Sequence, residues 1–183
     1  MHQILLSFRA EFDAIIIGGN TLRRDNPLLT SRGSKNPEPL RVVFTKSLDL
    51  PPKSNLWDCN KAKTLVIYDS STANESCLSR IPKCVEIEKV SSDNPELISK
   101  ILASRGCNKV LWECGPSLAT AAIKSNCIQE IITFIAPKIL GGENSMIPFG
   151  DFEFEEMYEV IKLRDSQVSL IGGDICVRSL FQN

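Results

Sequence analysis

Apolar residues in this chain come in short runs bounded by turn residues, and the runs have two distinct rhythms. Continuous or alternating runs of four to seven residues predict strands over Asp13–Gly18, Leu40–Thr45, Thr64–Tyr68, Val85–Glu88, Lys109–Glu113, Glu130–Ala136 and Glu159–Leu163. A closing hairpin is expected from Gln167–Ile171 and Ile175–Leu180 around "GGD". Two segments have the helical period instead. "NPELISKILASRG" offers Asn94 as N-cap, Pro95 at the first helical position, an apolar stripe of Leu97, Ile98, Ile101 and Leu102, and Gly106 as terminator. "GPSLATAAIKSN" repeats the plan, with Pro116 first and Leu118, Ala119, Ala122 and Ile123 on one face.

Strand, helix, strand, helix, strand between residues 85 and 136 reads as two crossover units, which make parallel strands with right-handed connections. The segments after residue 158 look antiparallel. The expected architecture is an α/β sandwich with a mixed, mostly parallel sheet and a C-terminal antiparallel hairpin. Ligands in such sheets sit outside the carboxyl ends of the parallel strands.

At 183 residues the chain suits one domain, and stretches such as "SRGSKNPEP" and "SLDLPPKSN" read as loops within it. A net charge of −1 gives no basic excess for nucleic acid or an anionic membrane surface. The longest apolar runs are too short to span a bilayer, and the first residues lack a signal peptide's plan. Seven cysteines without a C-x-x-C, and a single His at position 2, argue against a zinc site and for reduced thiols in the cytoplasm.

Three segments have chemistry-bearing residues at strand ends. In "VLWECGPSLATA" a strand ends at Glu113, and Gly115-Pro116 opens a helix whose first amides have no partner within the helix. Spacing alone leaves an anion site and an ordinary strand-to-helix turn equally open, and Glu113 at the crevice favours the former. Cys114 offers the rival of a thiolate nucleophile, although no base lies near it in sequence. In "IIIGGNTLRRDNPLLTSR" Thr21 opens a short helical turn after two glycines, and Pro27 moves Asn26 out of the helical region. Here a solvated, Asx-capped loop competes with a ligand site. "APKILGGENSM" reads equally as a loop leaving the sheet or as a ligand contact.

Together these segments resemble the reductase domain of the bifunctional deaminase–reductase of bacterial riboflavin biosynthesis, a dihydrofolate-reductase-like fold. The matching stretches are "LSFRAEFDAIIIGGNTLRRDNPLLTSR", "LRVVFTKSLDLP", "VLWECGPSLATAAI" and "EIITFIAPKILGG", nearly the whole chain. The resemblance implies that Thr21 and Asp25 lie against NADPH, joined by Lys46 at the end of the second strand. It assigns the cofactor's pyrophosphate to Gly115, Pro116, Ser117, Leu118, Ala119, Thr120 and Ala121. It assigns the substrate to Arg9, Leu29, Arg32 and Glu113. The implied reaction reduces 5-amino-6-(5-phosphoribosylamino)uracil to its ribitylamino product, with no dedicated acid–base residue identified. A homodimer is also implied.

Against the family pattern, the chain has no H-x-E with P-C-x-x-C, hence no deaminase centre, and it begins near Phe8-Arg9-Ala10 without the family's upstream strand and its S-L-D-G-like segment. That departure keeps two alternatives in view. One is a non-catalytic relative that binds a nucleotide or a partner. The other is a reductase of a related pyrimidine, such as the undeaminated diaminopyrimidinone, or of a pterin.

Overall fold

The computed structural model describes residues 8–139, 141 and 147–182. Five strands, β1 (Ala14–Gly18), β2 (Leu40–Thr45), β3 (Thr64–Asp69), β4 (Glu86–Val90) and β5 (Val110–Trp112), form one sheet in the order β4-β3-β2-β1-β5, with every pairing parallel. Three more, β6 (Glu130–Ile135), β7 (Leu163–Ile171) and β8 (Asp174–Phe181), form an antiparallel sheet in the order β6-β8-β7. The helices are α1 (Gly19–Asp25), α2 (Pro95–Ser104) and α3 (Pro116–Lys124).

The continuous apolar runs of β1, β2 and β3 follow from burial on both faces. Ile15, Ile17, Val43, Val66 and Tyr68 point to one face and pack with Leu22 of α1 and with Leu29, Leu56 and Trp57. Ala14, Ile16, Val42, Phe44, Leu65 and Ile67 point to the other and meet Ile98 and Leu102 of α2. Each fully buried Ile, Val or Leu contributes about 1.5–3 kcal/mol relative to exposure. These two layers therefore hold the carboxyl ends of the parallel strands in fixed register.

The expected caps are present. Asn94 Oδ1 accepts from Glu96 N at 2.9 Å, Pro95 stands at the start of α2, and Gly106 takes φ +83 beyond its end. The β7–β8 hairpin turns through Gly172 and Gly173 at φ 60 and 90, both values that glycine adopts without strain.

Three expectations need correction. Glu159–Leu163 is not a strand: Glu159 Oε2 accepts from the amides of Glu155 and Glu156 at 2.9 and 3.1 Å, which folds that segment into a turn, and β7 begins only at Leu163. The fourth strand starts at Glu86, because Val85 is held in a turn by Pro82 O. The crossover from β5 through α3 does not lead to a parallel neighbour, because among the described residues β6 pairs only with β8. The Gly141-Gly142 connection lies partly outside the described residues.

Candidate active site

Because β1, β2 and β5 are adjacent and parallel, the segments that leave their carboxyl ends emerge on one side of the sheet. From β1 the chain passes through Gly18 into α1. From β2 it passes to Lys46 and Ser47. From β5 it passes through Glu113 and Gly115 into α3. Between them lies a cleft of about 930 Å³ whose walls include Thr21, Asp25, Lys46, Gly115 and Ser117.

Gly19 allows the close approach of α1 to β2. A Cβ on Gly19 would stand 3.1 Å from Thr45 Oγ1, so a side chain there would push α1 off β2. At Gly115 a Cβ would make only ordinary contact, 3.8 Å from Thr21 Oγ1, so the two segments lie side by side there without needing the glycine. At the start of α3, Gly115 is the N-cap and no side chain caps the helix. Pro116 has no N–H, and the first intrahelical bond is from Ala119 N to Gly115 O at 3.1 Å. The amides of Ser117 and Leu118 are thus the first-turn donors on the cleft wall, where a helix start favours an anion. Three cations, Arg23, Arg24 and Lys46, line the cleft against two carboxylates, Asp25 and Asp93.

Beside the cleft stands a second pair. Arg9 Nη2 donates to Glu113 Oε1 at 2.7 Å and Arg9 Nε to Glu113 Oε2 at 3.0 Å, while Arg9 Nη1 reaches Thr30 O at 3.3 Å. Glu113 N donates to Ile16 O at 3.0 Å, which ties this carboxylate to the end of the β1–β5 ladder.

The structure gathers most of the sequence-derived residues. Thr21, Asp25, Lys46, Gly115, Pro116, Ser117, Leu118 and Ala121 line the cleft. Ala119 and Thr120 are not among its lining residues, as a helical period cannot put seven consecutive side chains on one wall. Thr120 turns the other way, where its Oγ1 accepts from Gly150 N at 2.8 Å. Leu29 is wholly buried in the core at φ 51 and is not among the cleft-lining residues, so the structure does not present it to a ligand there. Arg32, at φ 53, is on the exposed loop outside the cleft lining. That loop is anchored by Glu38, whose carboxylate accepts from Ser31 N at 2.6 Å and Gly33 N at 2.7 Å.

Cys114 does not line the cleft, and burial pushes its thiol up to about 12, which leaves it a neutral thiol at physiological pH and removes it as a nucleophile. Among the described residues no group of three or more His, Cys, Asp or Glu side chains is placed to hold a metal. None of their helices is long and apolar enough to cross a membrane. Asp93, on the cleft wall, was not expected from the sequence. Its signal was positional, since it follows β4 and directly precedes the N-cap of α2.

Residues 1–177 match the family model described as the RibD C-terminal domain. The chain belongs to this family. It is 43% identical over 176 residues to the riboflavin biosynthesis protein RibD of Synechocystis sp., covering 95% of this chain and 46% of that protein. It is 37% identical over 178 residues to the chloroplastic riboflavin biosynthesis protein PYRR of Arabidopsis thaliana, covering 97% of this chain and 30% of that one. The chain thus spans less than half the length of these curated relatives. The structure superposes on Acinetobacter baumannii RibD with a TM-score of 0.81 at 22% identity, covering all of this chain and 50% of that one. The fold is accordingly that of RibD reductase domains, dihydrofolate-reductase-like.

Proposed function

We propose that this chain is a reductase module that uses NADPH to reduce 5-amino-6-(5-phosphoribosylamino)uracil to its ribitylamino product. The observation that carries the reading is the cleft with an uncapped, glycine-opened helix start on one wall and Arg23, Arg24 and Lys46 around it. This donor set fits a dinucleotide. The Ser117 and Leu118 amides would hold the diphosphate, Thr21 and Asp25 the adjoining polar groups, and Lys46 a phosphate at the adenosine end. NADPH, when bound, supplies the hydride.

What the chain supplies is placement. A hydride donor and its acceptor carbon must be held about 3–3.5 Å apart and aligned. Glu113, fixed by its own backbone bond and by Arg9, is positioned to accept hydrogen bonds from the substrate's hydroxyls. Arg32, on its anchored loop, has the fork geometry that suits a substrate phosphate. Closing the cleft over both ligands would exclude water and strengthen these contacts.

The proposed homodimer is supported by the antiparallel sheet. Ile135, Ile175 and Leu170 stand in one cross-strand row, with Val177 and Val168 in the next row of the same face. Leu170 and Val168 are 79% and 69% exposed, a contiguous apolar face of the kind that a second copy covers. Seven free thiols suit a reducing compartment such as the cytoplasm.

The test is a fluorescence titration with NADPH, using Trp57 and Trp112 as reporters, followed by NADPH oxidation assays with the uracil substrate and, in parallel, the undeaminated diaminopyrimidinone. Saturable quenching and turnover with the uracil are expected. Turnover with the diaminopyrimidinone alone would reassign the substrate. Binding without turnover on either would favour a non-catalytic nucleotide-binding relative, and absence of NADPH binding would defeat the proposal.

A further inference from the structure

Lys46 and Asp93 form an ion pair at the cleft, Nζ to Oδ2, between the segment after β2 and the segment before α2. Asp93 is not needed as a helix cap. α2 is already capped by Asn94, whose Oδ1 accepts from Glu96 N at 2.9 Å. The pair is well exposed, with Lys46 63% and Asp93 50% accessible, and ion pairs so placed add little to stability. The backbone beneath it, in contrast, is fixed: Thr72 Oγ1 donates to Lys46 O at 2.9 Å. A cation and a carboxylate are therefore held at one end of a dinucleotide-sized cleft, near the buried Asp69 carboxylate, whose pKa is held low chiefly by the Ser71 hydroxyl and amide and in lesser part by Lys46.

We infer that Asp93 is a specificity residue that opposes Lys46, so that the pair sets how strongly the site prefers a 2′-phosphorylated dinucleotide over its unphosphorylated counterpart. This rests on the cofactor reading of the cleft. A 2′-phosphate, with about 1.5–2 negative charges at neutral pH, must take Lys46 from Asp93 and then sit beside that carboxylate. An unphosphorylated ribose has no such conflict, because its hydroxyls can donate to Asp93 while Lys46 stays paired. Lys46 thus raises affinity for the phosphorylated form, and Asp93 lowers it while supplying an acceptor to the other. The remaining charges lining the cleft, Arg23, Arg24 and Asp25, are common to both ligands. They are unchanged in Asp93→Asn and Lys46→Gln, so a change of ratio between wild type and variant reports on Lys46 and Asp93.

The test measures dissociation constants of NADPH and NADH on the wild-type protein, Asp93→Asn and Lys46→Gln by fluorescence and calorimetry. Adenosine 2′,5′-bisphosphate and adenosine 5′-monophosphate serve as probes of the adenosine end alone. Asp93→Asn is expected to raise the NADPH-to-NADH affinity ratio about three- to tenfold, and Lys46→Gln to lower it about tenfold, with both differences shrinking as salt is raised. The two adenosine probes should follow the same order. If NADPH binds the wild-type protein but both variants leave the ratio within about twofold, the inference fails and the cofactor reading stands. If neither dinucleotide nor either probe binds, the cofactor reading fails and takes the inference with it.

Discussion

Arg9 and Glu113, 104 residues apart in sequence, meet through two parallel hydrogen bonds of 2.7 and 3.0 Å beside the carboxyl end of β5. Both side chains are mostly buried, so each ion is desolvated and compensated chiefly by the other. Removing one partner leaves the other stranded. Glu113→Gln should cost about 1–3 kcal/mol of stability. A double-mutant cycle with Arg9→Met, read by urea denaturation, should show a coupling of at least about 1 kcal/mol. Simple additivity would mean that the pair is not formed in solution. In the proposed reaction the same Glu113→Gln change should lower kcat/KM about 10–100-fold while NADPH affinity changes less than about twofold, because the carboxylate serves the substrate and not the diphosphate.

A second prediction concerns Arg41, which is fully buried, with the carboxylates of Asp58 and Glu38 near enough to act on its charge while its hydrogen bonds go to the backbone. Its guanidinium donates instead to the backbone carbonyls of Leu28, Asn55, Leu56, Asp58 and Ala62, at 2.6 to 3.4 Å, and only its Nε has no partner. One side chain thereby fastens the loop before Leu29 and the whole 55–62 segment to β2. Arg41→Leu removes a donor from five carbonyls, of which Leu56 O keeps Thr64 Oγ1 and Asp58 O keeps Lys61 N, and should cost about 3–5 kcal/mol. Arg41→Lys keeps the charge but offers three donors to five acceptors, and should fall between. Chemical denaturation measures both. A loss under about 1 kcal/mol for the leucine variant would show that the carbonyls find other partners.

Sequence revealed what depends on local chemistry. Asn94-Pro95 and Gly115-Pro116 mark their helix starts in local sequence, and the apolar runs of β1, β2 and β3 are long because both faces are buried. The eight cleft residues named in advance came from the family resemblance, and most of them sit on segments that leave a parallel strand at its carboxyl end. Features that depend on distant partners stayed hidden. Arg41 reads as a polar interruption of an apolar strand until five carbonyls from elsewhere close around it. Glu159 reads as a strand residue until its carboxylate bends back to two amides. Asp93 joins the cleft because β4 runs parallel to β2, two positions away in the sheet, whose end leads to Lys46.

The loop carrying Arg32 gives a prediction with an acid limb. Burial alone would raise the Glu38 carboxyl, but the amides of Gly33 and Ser31 outweigh it and hold it below the ordinary carboxylate value. Its folded-state pKa is thus depressed, so its contribution to stability is present above the unfolded value near 4.5 and is lost as pH falls below it. Glu38→Gln should remove that part of the acid dependence and cost about 1–2 kcal/mol at neutral pH. It should also weaken substrate binding more than NADPH binding, because Ser31 and Gly33 flank Arg32. Equal acid limbs for wild type and variant would contradict the argument.

Cys114 gives the opposite limb. Its thiol is pushed by burial from an ordinary value of 9.0 to about 12, with one backbone hydrogen bond pulling weakly the other way. On unfolding it would ionise near its ordinary value. Below pH 9 the group is protonated in both states and contributes nothing to the slope. Between about 9 and 12 the unfolded chain binds fewer protons than the folded one, so stability falls as pH rises, by about 1.4 kcal/mol per unit for this one group. Cys114→Ala has no such group, and the difference in unfolding free energy between it and wild type should shrink steadily over that window. The same burial predicts that Cys114 reacts with a neutral-pH alkylating reagent far more slowly than exposed Cys84 does in the folded protein. Mass spectrometry of the labelled peptides reads that order directly, and faster labelling of Cys114 would restore the thiolate that its burial denies.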